Sequence, residues 1–303
     1  MKKNILLLCL VFCFVSCQKE NKKETSIQTN IKDTSKVLVS EAVVIIDTTF
    51  SETNTIEDYC IALDYLKDEY TRKLNETNSS AKSNELYEEY HTIRKKYIYN
   101  MSTFNDTLLS NYVNQYSEEQ EDYVLNTDYK RITNQLKKVA VEFWYVGEGY
   151  TEFRSIPSHY PTMFKGKVSQ DYQDFLNLIA IDEKELYSAD AGFMVNFDEV
   201  GKRVAHWEQY LTKHPNSKLL NEAKALYNNY LTDFIFGLEN TQTYEEETGL
   251  IYPEYLEVYD DFVKKYPNSK TTKTIREFLK LVEKKTSFDD IHKALNLKYK
   301  FYQ

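Results

Sequence analysis

Lys213-His214-Pro215-Asn216-Ser217-Lys218 recurs 52 residues later as Lys265-Tyr266-Pro267-Asn268-Ser269-Lys270, with five of the six positions matching. Each copy follows an aromatic-led helical pattern: Trp207, Tyr210 and Leu211 before the first, Tyr259, Phe262 and Val263 before the second. Each also precedes another such pattern, Leu220, Ala223, Leu226, Tyr227 and Tyr230 in one case and Thr272, Ile275, Phe278, Leu279 and Val282 in the other. The unit is therefore helix, tight turn, helix. Proline lacks an amide hydrogen and pushes the preceding residue out of the α region, so the first helix must stop at His214 or Tyr266. Asparagine tolerates the turn, and Ser217 and Ser269 are placed as N-caps of the following helices. Val200, Val204, Trp207 and Leu211 form one apolar stripe, and Tyr255, Tyr259, Phe262 and Tyr266 form its counterpart. His214 stands where the second copy has Tyr266, which makes it a packing residue.

These residues resemble the tetratricopeptide-like helical hairpins of many bacterial envelope lipoproteins, in which an aromatic helix runs into a Tyr-Pro-Asn-Ser type turn. The resemblance covers residues 198–286. It implies a scaffold for proteins or peptides, the usual role of this solenoid class. The chain departs from the 34-residue form of the repeat. Its offset is 52, owing to an insert near Ile235 to Pro253. Two copies also fall short of the three that usually stabilise a solenoid. Either hairpins upstream complete the stack or the pair packs on another domain.

With 303 residues, the chain is long enough for a sizeable core, and only 7 glycines and 5 prolines interrupt it, too few for a sandwich, barrel or Rossmann sheet. The fold class expected is mainly α: antiparallel helical hairpins in a tetratricopeptide-like array, with one short N-terminal β-like segment. The 26 tyrosines combine a large ring with a hydroxyl that can stay wet, which suits shallow grooves between hairpins.

Residues 1–16 read as a targeting segment. Lys2 and Lys3 supply a positive start, and Ile5 to Val15 form an apolar run too short to span a bilayer comfortably. Phe14-Val15-Ser16-Cys17 resembles the lipobox of bacterial lipoproteins, in which a small residue precedes a cysteine that takes the lipid and becomes the new N-terminus. Phe14 departs from the leucine most common there. The resemblance implies lipid attachment at Cys17, and Gln18 after it resembles the outer-membrane sorting pattern, giving a cell-envelope protein that faces the periplasm. An ordinary secretory signal or an uncleaved anchor is the alternative. Cys9 and Cys13 would leave with the signal, so Cys60 is the one remaining thiol and no intrachain disulfide can form. Cys60 lies among Tyr59, Ile61, Leu63 and Tyr65, where a small buried hydrophobe is expected rather than a nucleophile. Losing Lys2 and Lys3 takes the formal charge from −9 to −11, which argues against nucleic acid and anionic headgroups as partners. The partners implied are the membrane, through the acyl chains at Cys17, and a protein or peptide.

Residues 17–50 read as a flexible tether. It contains one β-branched run, Val37 to Ile46, expected as an extended arm against the helical body, with addition to a sheet edge elsewhere as the alternative. Residues 51–145 read as N-terminal helical hairpins. Ile56, Tyr59, Leu63, Leu66, Tyr70 and Leu74 form one stripe, and Leu86, Tyr90, Ile93, Tyr97 and Met101 form the next. The polar run Asn75 to Ser83 joins these two helices. Further helices are expected over Leu108–Tyr116 and Tyr129–Val146. Residues 146–303 hold a central irregular region and the C-terminal hairpins.

Phe143 to Tyr150 places four aromatics around two glycines, with Glu142, Glu148 and Glu152 beside them. The structural expectation is a helix ending at Gly147 with its aromatics in the core. The functional alternative is a ligand cleft using Trp144, Tyr145, Glu148 and Tyr150, suited to a glycan or peptidoglycan fragment. Asp182-Glu183, Asp198-Glu199, Asp260-Asp261 and Glu245-Glu246-Glu247 read as solvated helix faces. A hydrolase would need such carboxylates to converge in three dimensions. The five histidines lack zinc-site spacing, and no calcium loop, phosphate-cradling glycine loop or Gly-x-Ser-x-Gly elbow occurs. Neither a cofactor nor a metal is expected, and a non-enzymatic interaction protein is the leading reading.

Overall fold

The computed structural model describes residues 51–297 except 52, 121, 246 and 247. Cys17 and the run Val37 to Ile46 lie outside the described residues. The fold is mainly helical, with 63% helix, eleven helices and short antiparallel strand pairs among the described residues. In chain order, α1 (Ile56–Glu76), α2 (Ser80–Phe104), α3 (Asp106–Ser110), a 3₁₀ turn (Val113–Gln115), β1 (Tyr116–Ser117), β2 (Asp122–Tyr123) and α4 (Thr127–Lys138) come first. They are followed by β3 (Val141–Gly147), β4 (Tyr150–Ser155), α5 (His159–Met163), α6 (Gln170–Asp182), β5 (Ser188–Ala189) and β6 (Gly192–Phe193). Next come α7 (Phe197–Lys213), α8 (Leu220–Phe236), β7 (Gly237–Leu238), β8 (Thr241–Gln242), β9 (Tyr244–Glu245) and β10 (Leu250–Ile251). The last helices are α9 (Pro253–Lys265), α10 (Lys270–Glu283) and α11 (Phe288–Leu295).

Thr55 opens α1 with a capping box: its hydroxyl accepts from the Asp58 amide, and the Asp58 carboxylate accepts from the Thr55 amide. All six stripe residues of α1 are buried. On α2, Leu86, Tyr90, Tyr97 and Met101 are buried, whereas Ile93 is half-buried and Arg94 beside it is fully buried.

Two expected helices are corrected. The helix over Leu108–Tyr116 is shorter, running through α3, the 3₁₀ turn and the start of β1. The helix over Tyr129–Val146 stops at Lys138. Val139 closes it and Ala140 takes a positive φ of 53°, after which the chain turns into β3. The decisive residues are Val141-Glu142-Phe143-Trp144-Tyr145-Val146, dense in β-branched and aromatic side chains, whose burial alternates along the strand from Val141 to Trp144. A helix would scatter that alternation, whereas a hairpin buries Val141, Phe143 and Phe153 on one face. The β-like segment expected over 37–46 lies outside the described residues; five antiparallel pairs that the sequence reading did not include occur among the described ones.

At the proline corners the chain behaves as the repeated stretch requires. His214 and Tyr266 each close a helix with their own amides, bonding to the carbonyls of Tyr210 and Phe262. Ser269 caps α10, accepting from the Thr272 amide at 2.9 Å. Ser217 does not cap α8, a correction to its expected role, because α8 begins only at Leu220. The Ser217 hydroxyl instead donates to Asp171 at 2.6 Å and accepts from the Leu219 amide. Both corners are gripped by carboxylates of an earlier helix. Asp174 on α6 meets His214 Nε2 at 2.7 Å and Lys213 Nζ at 2.6 Å. Glu208 on α7 accepts from the Lys270 and Thr271 amides and the Thr271 hydroxyl, at 2.6, 3.1 and 2.7 Å. A carboxylate at a helix N-terminus is a favourable cap, so Glu208 ties α10 to α7. The 52-residue offset is explained by β7 to β10, two small hairpins between α8 and α9.

Two apolar cores result, one built from α1, α2, α4 and the β3–β4 hairpin, the other from α7 to α11. Helix α6 serves both, sending Tyr172 and Leu176 into the first and Phe175 into the second. Cys60 is partly buried against the first core, and burial pushes its thiol up to about 11, as expected of a packing residue rather than a nucleophile.

Candidate functional site

Where α6 joins the two cores, a cleft of about 720 Å³ opens between α2, the β3–β4 hairpin and the α6–α7–α8 side. Its position follows from the hairpin. Cross-strand pairing puts Trp144 opposite Glu152 and Glu142 opposite Arg154, while Phe143 pairs with Phe153 on the core side. The alternation that buries the two phenylalanines therefore delivers Trp144, Glu152 and Arg154 to the cleft wall. Arg154 is fully committed: it pairs with Glu142 at 2.8 Å, donates to the Glu183 carbonyl at 2.7 Å and lies 3.1 Å over the Trp144 ring.

The opposite wall comes from the end of α6 and from α7 and α8: Asp182, Glu183, Tyr187, Arg203 and Tyr230. Trp207 explains why Asp182 is there. A fully buried indole must place its N–H, and Trp207 Nε1 donates to Asp182 Oδ2 at 2.7 Å. Asp182 is only 6% exposed, which corrects its reading as part of a solvated face. Arg203, one turn before Trp207 on α7, is 2% exposed; its Nε lies 3.9 Å from Asp182 Oδ1 and its Nη1 lies 3.4 Å from the Tyr230 hydroxyl. Arg203 Nε also lies 3.8 Å from Glu199 Oε1, and both it and Asp182 Oδ1 are closed off from the surface with no hydrogen bond at ordinary distance. An unmet buried polar group costs roughly 1–3 kcal/mol, more when charged.

The electrostatics of the walls favour acid. Glu152 and Glu183 are both exposed at the surface, yet partial loss of water within the cleft pushes the Glu152 carboxyl up, with Arg154 opposing. The same loss of water raises Glu183 as well, also opposed by Arg154, with the nearby charges of Asp182 and Glu152 adding to the rise. Asp182 is likewise raised by burial, against the pull of Trp207 and Arg203. On the α2 side, burial and then Lys95 hold His91 below the ordinary histidine value. Beneath that wall, Arg94 donates to Ser155 and to the Val139 and Ala140 carbonyls, fastening the α4–β3 corner. His159 is buried neutral, pushed down to about 3 by burial and by Arg94, and its Nε2 shares a hydrogen bond of 2.6 Å with the Tyr90 hydroxyl.

Of the four expected ligand-binding residues, the cleft takes only Trp144. Tyr145 turns its hydroxyl to the Gly149 amide, and Glu148 accepts from the Asp190 amide; both brace turns. Tyr150 is 69% exposed and pairs with Gly147 at the strand end. The burial of Asp182, read from the sequence as a solvated carboxylate, had one legible signal: Trp207 on a buried stripe requires an acceptor. No group of three or more His, Cys, Asp or Glu side chains fit to hold a metal occurs among the described residues. No family model, curated protein or solved structure matches the chain.

Proposed function

We propose that this protein is a lipid-anchored cell-envelope protein that captures a small ligand in the cleft between its two helical cores. On this reading α7–α8 and α9–α10 are successive tetratricopeptide-like hairpins, supported by the carboxylate grip of each proline corner on an earlier helix. Their role is to hold one wall of the cleft. The observation that carries the reading is a concavity of about 720 Å³ lined by four tyrosines and a tryptophan, with charged side chains of both signs in its walls.

The cleft is tested by native mass spectrometry after incubation with the small-molecule fraction of a bacterial envelope extract. Wild-type protein is expected to show a bound species that Thr103→Trp, which fills the mouth from an exposed position, eliminates without lowering the unfolding midpoint. An unliganded wild-type spectrum overturns the cleft reading. The anchor has its own test. Cys17→Ser is expected to abolish incorporation of labelled fatty acid and release the protein from the membrane fraction. Unchanged fractionation with label still incorporated rules out Cys17 as the attachment point.

A further inference from the structure

We infer that the outward face of α10 is a docking surface for anionic lipid headgroups. The inference rests on neither the cleft nor the anchor. A formal charge of −9 argues against such a partner for the chain as an average, but the charge is not evenly spread. Residues 270–285 carry Lys270, Lys273, Arg276, Lys280, Lys284 and Lys285 against only Glu277 and Glu283, and all eight are exposed. The fold decides where they point. Helix α10 buries Thr271, Thr272, Ile275, Phe278 and Val282, so the helical period turns its charges away from the second core. At 3.6 residues per turn, Lys273, Arg276, Lys280 and the closing residue Lys284 fall within an arc of roughly 80° and along about 17 Å of helix.

Nothing among the described residues neutralises this face. The side chains of the six cations form no ion pair and no hydrogen bond there, while Asp261 on α9 is paired with Lys264 and Asp290 on α11 with Lys293. A row of like charge repels itself and is relieved by a partner of opposite sign. The kind of polyanion follows from the residue types. Five of the six cations are lysines, compact point charges on flexible stems, whereas a planar, two-pronged grip on one phosphate or carboxylate favours arginine. The one aromatic of α10, Phe278, is buried, so the face offers no platform for stacking bases. What remains is a diffuse field along a helix, the match for a plane of phosphate headgroups, to which each lysine or arginine adds a similar increment. Because the apolar side of α10 is already spent on the core, the contact lies on the membrane surface without insertion. Cellular salt weakens such a contact, so it orients a chain held by an acyl group rather than holding one by itself.

The chain from Gln18 to Gln303, which keeps every described residue and carries no acyl group, is sedimented with vesicles of phosphatidylcholine alone or mixed with phosphatidylglycerol at roughly 2:1. At low salt it is expected to pellet with the mixed vesicles and not with the neutral ones. Release is expected at about 1 M salt, where the screening length falls to about 3 Å. Lys273→Gln, Arg276→Gln, Lys280→Gln and Lys284→Gln together should weaken binding at least tenfold. Lys273→Arg, Lys280→Arg and Lys284→Arg together keep the charge and should hold binding within about twofold. Lys130→Gln, Arg131→Gln, Lys137→Gln and Lys138→Gln remove as much charge from exposed positions of α4 and should also leave it within about twofold. Both glutamine sets sit on the surface, and their unfolding midpoints serve as the check on folding. Pelleting with neither vesicle, or equally with both, overturns the inference. So does equal weakening by the two glutamine sets, which would trace binding to net charge, and so does binding that the α10 glutamines leave unchanged or the arginines abolish. Retention on duplex DNA or polyglutamate without vesicle binding assigns the face to that polyanion and overturns the lipid assignment.

Discussion

Trp207→Ala is expected to destabilise the protein by roughly 3–5 kcal/mol, the range for emptying a buried aromatic site. The unfolding midpoint should fall by on the order of 10 °C. The side chain is 0% exposed and packs on Phe175 and Tyr210, with ring centroids at 5.2 and 5.8 Å. Because Phe175 comes from α6, the lost contact loosens the helix shared by both cores. The variant also strips Asp182 of its donor, leaving a buried carboxyl already raised by burial with one partner fewer. Trp207→Phe separates the two effects: it keeps most of the ring and loses only the indole bond, so its loss should be the smaller. An unchanged midpoint in the alanine variant, followed by chemical denaturation, would place Trp207 outside the core.

Gly237→Ala should cost roughly 3 kcal/mol or more. Gly237 ends α8 at φ 77° and ψ −167°, a region essentially reserved for glycine. A methyl group there would lie 2.1 Å from the Thr241 carbonyl oxygen and 2.8 Å from Gln242 Cα. Both obstacles are backbone and cannot rotate away. The damage should reach the second core, since the Phe234 and Ile235 carbonyls just before the turn accept the Tyr259 hydroxyl at 2.7 and 3.0 Å. Gly149→Ala is the comparison. Gly149 also has a positive φ, 81°, but no atom lies within 4 Å of the added methyl, so only a backbone cost of about 1 kcal/mol is expected. Equal losses at the two sites in urea titrations would show that crowding at Gly237 contributes nothing.

The helices of the hairpins were legible because their signals are local. The α1 stripe, the stop at His214 and Tyr266, and the Ser269 cap each depend on a period of 3.6 or on one residue's backbone chemistry. The β3–β4 hairpin was not read from the sequence, because the apolar positions Ile132, Leu136, Val139, Ala140 and Phe143 also fit a helix. The competing period-two pattern prevails because it sends Phe143 and Phe153 inward together, and that advantage exists only once β4 has paired. Ser217 shows the same limit, since a carboxylate 46 residues away on α6 claimed its hydroxyl.

By itself the sequence determined a mainly helical chain and repeated proline corners, because period and proline act through neighbouring residues. Only the tertiary structure decided which side chains meet in the cleft. Asp182 and Arg203 are 21 positions apart on different helices, and Asp182 read from the sequence as a solvated carboxylate. What makes them a buried pair is the loss of water around both at once, a property of packing that no local stretch of the chain encodes.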